Sequence, residues 1–191
     1  MRQMYKILIT GSPGAGKTTL FTRILSSIAG DRYIVAGFVC PEVREGSRRA
    51  GFKIVDLYSG DSGWLAISFE KLGGRCRGAR VGRYCVIEED VNRVISNTER
   101  SLDEADLIAI DEIGPMELSV EGCKRIIYRS IEMPKLGLFV VHLRLIDEIS
   151  QRIRRASGDF IVYRVGLGNR DSLYYEILSK VRSMLNQGKA T

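Results

Sequence analysis

The sequence predicts an α/β fold: a mainly parallel central sheet flanked by helices, with a β-hairpin inserted after the first helix, in a single domain spanning 1–191. Three observations carry this reading. Short apolar runs rich in β-branched residues alternate with stretches of helical periodicity along the chain. A glycine-rich segment joins the first such run to the first helical stretch. A later apolar run ends in two adjacent acids. The chain has 191 residues, 45% of them hydrophobic and 27% charged, close to the average soluble domain. No apolar stretch approaches the ~20 residues of a membrane-spanning helix. The first residues lack the apolar core of a signal peptide, so a cytoplasmic protein away from membranes is expected.

In chain order, Tyr5 to Thr10 is a short apolar run stopped by glycine, a buried strand. From Lys17 to Ala29 the apolar residues Leu20, Phe21, Ile24, Leu25 and Ile28 recur at helical spacing. Tyr33 to Val39 and Gly51 to Tyr58 read as two strands of a hairpin, with Glu45, Gly46 and Ser47 as its turn and a basic tip. Trp64 to Phe69 and Tyr84 to Ile87 read as further short strands. Between them, 73–82 holds four glycines and three arginines and reads as a loop. Glu88 to Leu102 is helical, with acids in the first turn that suit the helix dipole. Leu107 to Ile110 is a buried strand, Leu118 to Ile131 a helix, Leu136 to Leu143 a strand and Ile146 to Arg155 a helix. Phe160 to Val165 is the last strand and Leu173 to Leu185 the closing amphipathic helix.

Gly11, Ser12, Pro13, Gly14, Ala15, Gly16, Lys17 and Thr18 fit G-x-x-x-x-G-K-[ST] at every position. The motif follows a predicted strand and opens a predicted helix, the context it needs. Glycines let successive N–H groups converge on a phosphate, and the helix N-terminus adds its positive end. Lys17 would bridge the β- and γ-phosphates and Thr18 would ligate Mg2+. The second segment is Leu107, Ile108, Ala109, Ile110, Asp111, Glu112, Ile113 and Gly114. An acid at the carboxyl end of a buried strand stands where α/β sheets bind ligands. Asp111 would therefore help hold Mg2+, and Glu112 would polarise a water aimed at the γ-phosphorus. The competing reading is a pair of exposed acids at a helix start.

Together, GSPGAGKTTL, the segment from Gly37 to Gly60, LIAIDEIGPMEL and the late GLGNRD resemble the THEP-type nucleoside-triphosphatases, small phosphate-loop enzymes with a human cancer-related cousin. The resemblance runs from the first strand to the last helix. It implies a RecA- or kinase-like core and Mg2+-dependent hydrolysis of ATP, GTP, CTP and related triphosphates with broad base tolerance, Glu112 acting as base. Two positions depart from it: Pro115 stands where lysine is expected in many relatives, and the 73–82 loop is unusually rich in Arg and Gly.

The excess of charge, +6 with 21 Arg and 8 Lys, leans toward phosphate-bearing ligands. Arg44, Arg48 and Arg49 near the hairpin tip would supply an arginine finger or stay solvated. Arg75, Arg77, Arg80 and Arg83 would form a nucleic-acid patch, but only Tyr84 interleaves them, so a solvated loop is the default. Arg170 would stack on a base, while Asp171 reads equally as a helix cap. His142 is the single histidine, which excludes a histidine metal cluster, and reads as packed or hydrogen-bonded. Trp64 reads as core. Cys40, Cys76, Cys85 and Cys123 form no C-x-x-C pair and are expected as reduced thiols, the alternative being a disulfide of the kind intracellular hyperthermophile proteins carry. Two other functions fit the motifs: a nucleotide or nucleoside kinase, and a nucleic-acid-associated ATPase. A monomer is the simpler expectation, with the oligomeric state left open.

Overall fold

The computed structural model describes residues 5–29 and 31–189. Five strands form a parallel half-sheet: β1 (Tyr5–Thr10), β2 (Val35–Val39), β8 (Leu107–Ile113), β9 (Leu136–Val141) and β10 (Asp159–Arg164). The other five are β3 (Glu42–Glu45), β4 (Arg48–Asp56), β5 (Ser62–Ser68), β6 (Arg80–Val81) and β7 (Tyr84–Val86), all paired antiparallel. The order is β10-β1-β9-β8-β2-β4-β5-β7-β6, with β3 pairing β4 off this path.

Helices α1 (Lys17–Ile28) and α5 (Arg170–Lys189) cover one face; α2 (Glu88–Ser101), α3 (Glu121–Glu132) and α4 (Ile146–Arg155) cover the other. Strand alternation sorts the core accordingly. Ile7, Ile9, Leu107, Ala109, Leu138 and Val140 meet Leu20, Phe21, Ile24 and Val181. Leu8, Ile108, Ile110 and Phe139 meet Val91, Val94, Ile126, Ile127, Ile149 and Ile153. Both faces of the central strands are buried, which is why they read as continuous apolar runs.

On β1 the same alternation puts Lys6 into the α3 side at 0% exposure. Its Nζ donates to the carbonyls of Ser130, Met133 and Lys135 at 2.9–3.0 Å. Burial pulls its pKa down to about 7. Three carbonyls, however, match the three donors of an ammonium rather than the two of an amine, and they hold the proton.

Three expectations change. The hairpin is formed by β3 and β4, not by the strands expected over 33–39 and 51–58. β2 runs parallel to β8 and meets only the end of β4, through Phe38↔Asp56 and Val39↔Val55. The loop expected over 73–82 contains β6. Finally, Cys76 and Cys85 form a disulfide, correcting the expectation of reduced thiols for that pair. Pairing of β6 with β7 folds the loop back and leaves the two Cα atoms 5.6 Å apart, within bridging range. Cys40 and Cys123 are free.

Candidate active site

The phosphate-loop segment links β1 to α1 as expected. Gly11 must be glycine: its φ is +152°, and a Cβ would stand 2.4 Å from the Val165 carbonyl oxygen. The Thr10 hydroxyl donates to the Val141 carbonyl at 2.9 Å, and the Val165 amide to the Thr10 carbonyl at 2.8 Å. These bonds lock the mouth of the loop to both neighbouring strands. Lys17 Nζ lies back over the loop and donates to the carbonyls of Gly11 at 3.1 Å and Ser12 at 3.3 Å.

β8 lies one strand away, with β9 between it and β1. It continues three residues past the expected end at Ile110, so Asp111 and Glu112 belong to the strand itself. The register against β9 shifts between Asp111 and Ile113, which leaves Glu112 outside the regular pairing and lets its side chain be re-aimed. Asp111 is 4% exposed. Burial raises its pKa to about 6; a hydrogen bond from Thr18 and the Lys17 charge pull it back, while Glu112 pushes it up. Burial also raises Glu112, with Lys17 and His142 opposing. Lys17, Thr18, Asp111 and Glu112 thus share one electrostatic neighbourhood, which settles against two solvent-exposed acids at a helix start.

A cavity of about 530 Å3 opens at this point, lined by Thr18, Asp111, Glu112, Pro115, Met116, Glu117 and His142, and on the wing side by Cys40, Glu42, Phe52 and Val81. Pro115, the departure from the resemblance, is on its wall. Glu117 begins a single 3-10 turn, Glu117–Ser119, and is 5% exposed. Burial pushes its pKa to about 8; its own backbone amide and the Cys40 thiol counter this, and the charges of Glu112 and Asp111 reinforce it. Gly114 makes room for this cluster: a Cβ there would stand 2.7 Å from Glu117 Oε2 and 3.3 Å from Glu112 Oε1. Sequence reasoning passed over Glu117, although a glutamate inside the apolar run Ile113 to Leu118 was a signal. It also missed the cavity role of His142, whose Nδ1 accepts from the Arg144 amide at 3.3 Å.

Among the described residues, no arginine lines this cavity. Arg44, Arg48 and Arg49 face a different one. Arg170 opens α5 with its guanidinium against Gly16, 3.2 Å from where a Cβ would be. Asn169 closes the preceding turn, accepting from the Gly166 amide and donating to the Arg164 carbonyl. Asp171 pairs with Arg23 of α1 at 2.7 Å, so its partner is a side chain rather than the helix end. Trp64 is half-buried on β5 beneath the Lys71 ammonium, 5.2 Å from the ring.

Fold and site together define a phosphate-loop protein of the α/β class, with an acid pair one strand removed from the loop-bearing strand. The sequence model of the NTPase family matches residues 6–178, and the chain belongs to that family. It is 39% identical over 181 residues to the nucleoside-triphosphatase THEP1 of Saccharolobus solfataricus, covering 95% of each chain. It is 42% identical over 184 residues to the nucleoside-triphosphatase THEP1 of Hyperthermus butylicus, covering 96% of this chain and 94% of the relative. The crystal structure of THEP1 from Aquifex aeolicus superposes with a TM-score of 0.70 at 26% identity, over 92% of this chain and 98% of that one. The solution structure of a human cancer-related nucleoside triphosphatase gives 0.72 at 30% identity, over 96% and 98%. The resemblance to THEP-type nucleoside-triphosphatases is borne out.

Proposed function

We propose that this chain, as one domain, hydrolyses nucleoside triphosphates to diphosphate and phosphate with Mg2+ and with broad base tolerance. The observation that carries this is the convergence of Thr18, Asp111 and Glu112, from two separate strand ends, on one cavity, with the Lys17 charge acting on both acids. The loop amides and the start of α1 receive the phosphates. Lys17 exchanges the Gly11 and Ser12 carbonyls for β- and γ-phosphate oxygens. Thr18 and Asp111 suit Mg2+: a hydroxyl and a carboxylate already joined by a hydrogen bond are adjacent hard oxygen donors. The ion, when bound, would neutralise charge on the transferring phosphoryl group. Glu112, a carboxylate made more basic by burial, takes the proton of a water as that water's oxygen bonds to the γ-phosphorus and the β–γ bridging oxygen leaves.

Support for broad base tolerance comes from the turn beside the phosphate loop, where Arg170 lies against Gly16. Leu167 stands wholly exposed in the turn before Arg170. An aliphatic side chain and a guanidinium can cover the flat face of any base without reading its edge.

The test is phosphate release from ATP, GTP and CTP with no acceptor present. Hydrolysis is expected for all three, abolished by chelator, and slowed about 10²–10⁴-fold in Glu112→Gln. A Glu112→Gln protein that matches the wild-type rate removes the base assignment. Diphosphate formed only when a nucleoside or nucleotide acceptor is added makes the protein a kinase instead.

A further inference from the structure

The two basic runs meet in space. Arg44, Arg48 and Arg49 of the β3–β4 hairpin and Arg83 from the β6–β7 turn surround a cavity of about 550 Å3 on the antiparallel wing, with Phe69 and Glu70 on its wall. This cavity shares no lining residue with the candidate active site. Four guanidiniums face one carboxylate inside it. Arg44 and Arg49 share Glu42 as ion-pair partner. Arg48 and Arg83 have no acidic partner among the described residues.

Two of the guanidiniums are also held in place by aromatic rings. Arg49 lies over Phe52 at 5.5 Å and Arg83 over Tyr84 at 5.4 Å, and Phe52 and Tyr84 pack edge to face at 5.2 Å. Arg83 Nε donates to the Tyr84 hydroxyl at 3.1 Å. The Cys76–Cys85 disulfide pins the neighbouring loop to β7. Solvated surface arginines lose side-chain entropy when they bind; Arg49 and Arg83 have lost part of it already, which favours a ligand.

We propose that this wing cavity is a second anion site that takes a polyphosphate group. Planar guanidiniums offer paired donors to phosphate oxygens, and the volume suits a ligand of nucleotide size. A nucleic-acid strand is the weaker fit: the Phe69 ring is already covered by Arg80 at 4.0 Å, so among the described residues the cavity offers no free stacking platform. Because Glu42 lines the active-site cavity and pairs with Arg44 and Arg49, a bound polyphosphate would compete with it for both arginines. The site is independent of the reading that the other cavity hydrolyses triphosphates.

The experiment is calorimetric titration of the full-length Lys17→Ala protein with tripolyphosphate, pyrophosphate and ADP. Tripolyphosphate is expected to bind, more weakly as salt rises, and at least ten-fold more weakly when Arg48→Ala and Arg83→Ala are added. Arg48→Lys with Arg83→Lys should recover part of the loss. An Arg125→Ala control, on α3 and outside this cavity, should change nothing, and unchanged thermal midpoints confirm folding. ADP and pyrophosphate binding equally would identify a bare polyphosphate ligand; a ten-fold preference for ADP would identify a nucleotide. No tripolyphosphate binding to Lys17→Ala, or binding untouched by the two Arg→Ala changes, overturns the proposal. So does tight binding of a single-stranded oligonucleotide with none of tripolyphosphate.

Discussion

The two halves of the sheet handle charge in opposite ways. In the parallel half, key charged groups are buried and shifted: Lys6, Asp111 and Glu117 are all at most 5% exposed, and each has a pKa moved by burial. In the antiparallel wing they are many and mostly exposed, paired at the surface as in Lys71 with Glu45 and Arg44 with Glu42. Removing a buried charge or its partners costs several kcal/mol, whereas a surface pair is worth about 0–1. The lesson is that the parallel half holds the shifted, buried charges, while the wing keeps most of its charge at the surface, where single pairs are worth little.

The largest expected effect is the loss of catalysis in Glu112→Gln, and it should come without loss of fold. A neutral amide removes a carboxylate that burial disfavours, so the thermal midpoint should hold or rise, read by calorimetry. Next is Lys6→Met, which leaves the carbonyls of Ser130, Met133 and Lys135 without their donor. Denaturant unfolding should show a loss of about 2–4 kcal/mol.

A comparable change should appear with pH through Glu117. Its folded pKa lies near 8, above the usual 4.5, so the native state binds the proton more tightly than the unfolded chain. Its contribution is full below about pH 4.5 and is lost as pH rises to about 8. Every tenfold difference in proton affinity between the two states is worth about 1.4 kcal/mol at most. Urea midpoints of wild type should fall across that window, and those of Glu117→Gln should fall less.

Cys76→Ser with Cys85→Ser comes lower. The bridge closes a sequence separation of only nine, for which loop entropy allows about 2.5 kcal/mol. Smallest should be Arg125→Ala, which loses an exposed pair with Glu99 and should move stability by less than about 0.5 kcal/mol. A wing substitution that leaves the disulfide intact and still costs as much as Lys6→Met would break the contrast between the halves.

The same contrast explains what could be read from the residues alone. In the parallel half, function is local. Gly11 to Thr18 are contiguous, Asp111 and Glu112 follow their apolar run directly, and burial on both faces makes strands conspicuous. What escaped there depended on where a turn puts a side chain: Glu117 enters the cavity because the chain doubles back after Gly114, and His142 because β9 ends beside Ile113, whose carbonyl accepts the His142 amide at 3.0 Å. In the wing, meaning lies in register. Antiparallel pairing of β4 with β5 and of β5 with β7 brings Arg48 and Arg83 to one cavity, and nothing in the linear spacing announces that. The disulfide was hidden for the same reason, since the two-residue strand β6 is what folds Cys76 toward Cys85.

The clasp between α1 and α5 has a mechanical consequence. Arg23 pairs with Asp171 and stacks on Tyr174 at 3.8 Å, Ser27 and Tyr174 share a hydrogen bond of 2.9 Å, and Arg182 reaches Asp31 and the Ser27 carbonyl. One helix begins at the phosphate loop and the other at Arg170, so side-chain contacts tie the two helices together near both starts. If the loop holds a nucleotide as proposed, these contacts would couple the later turns of α5 to that grip.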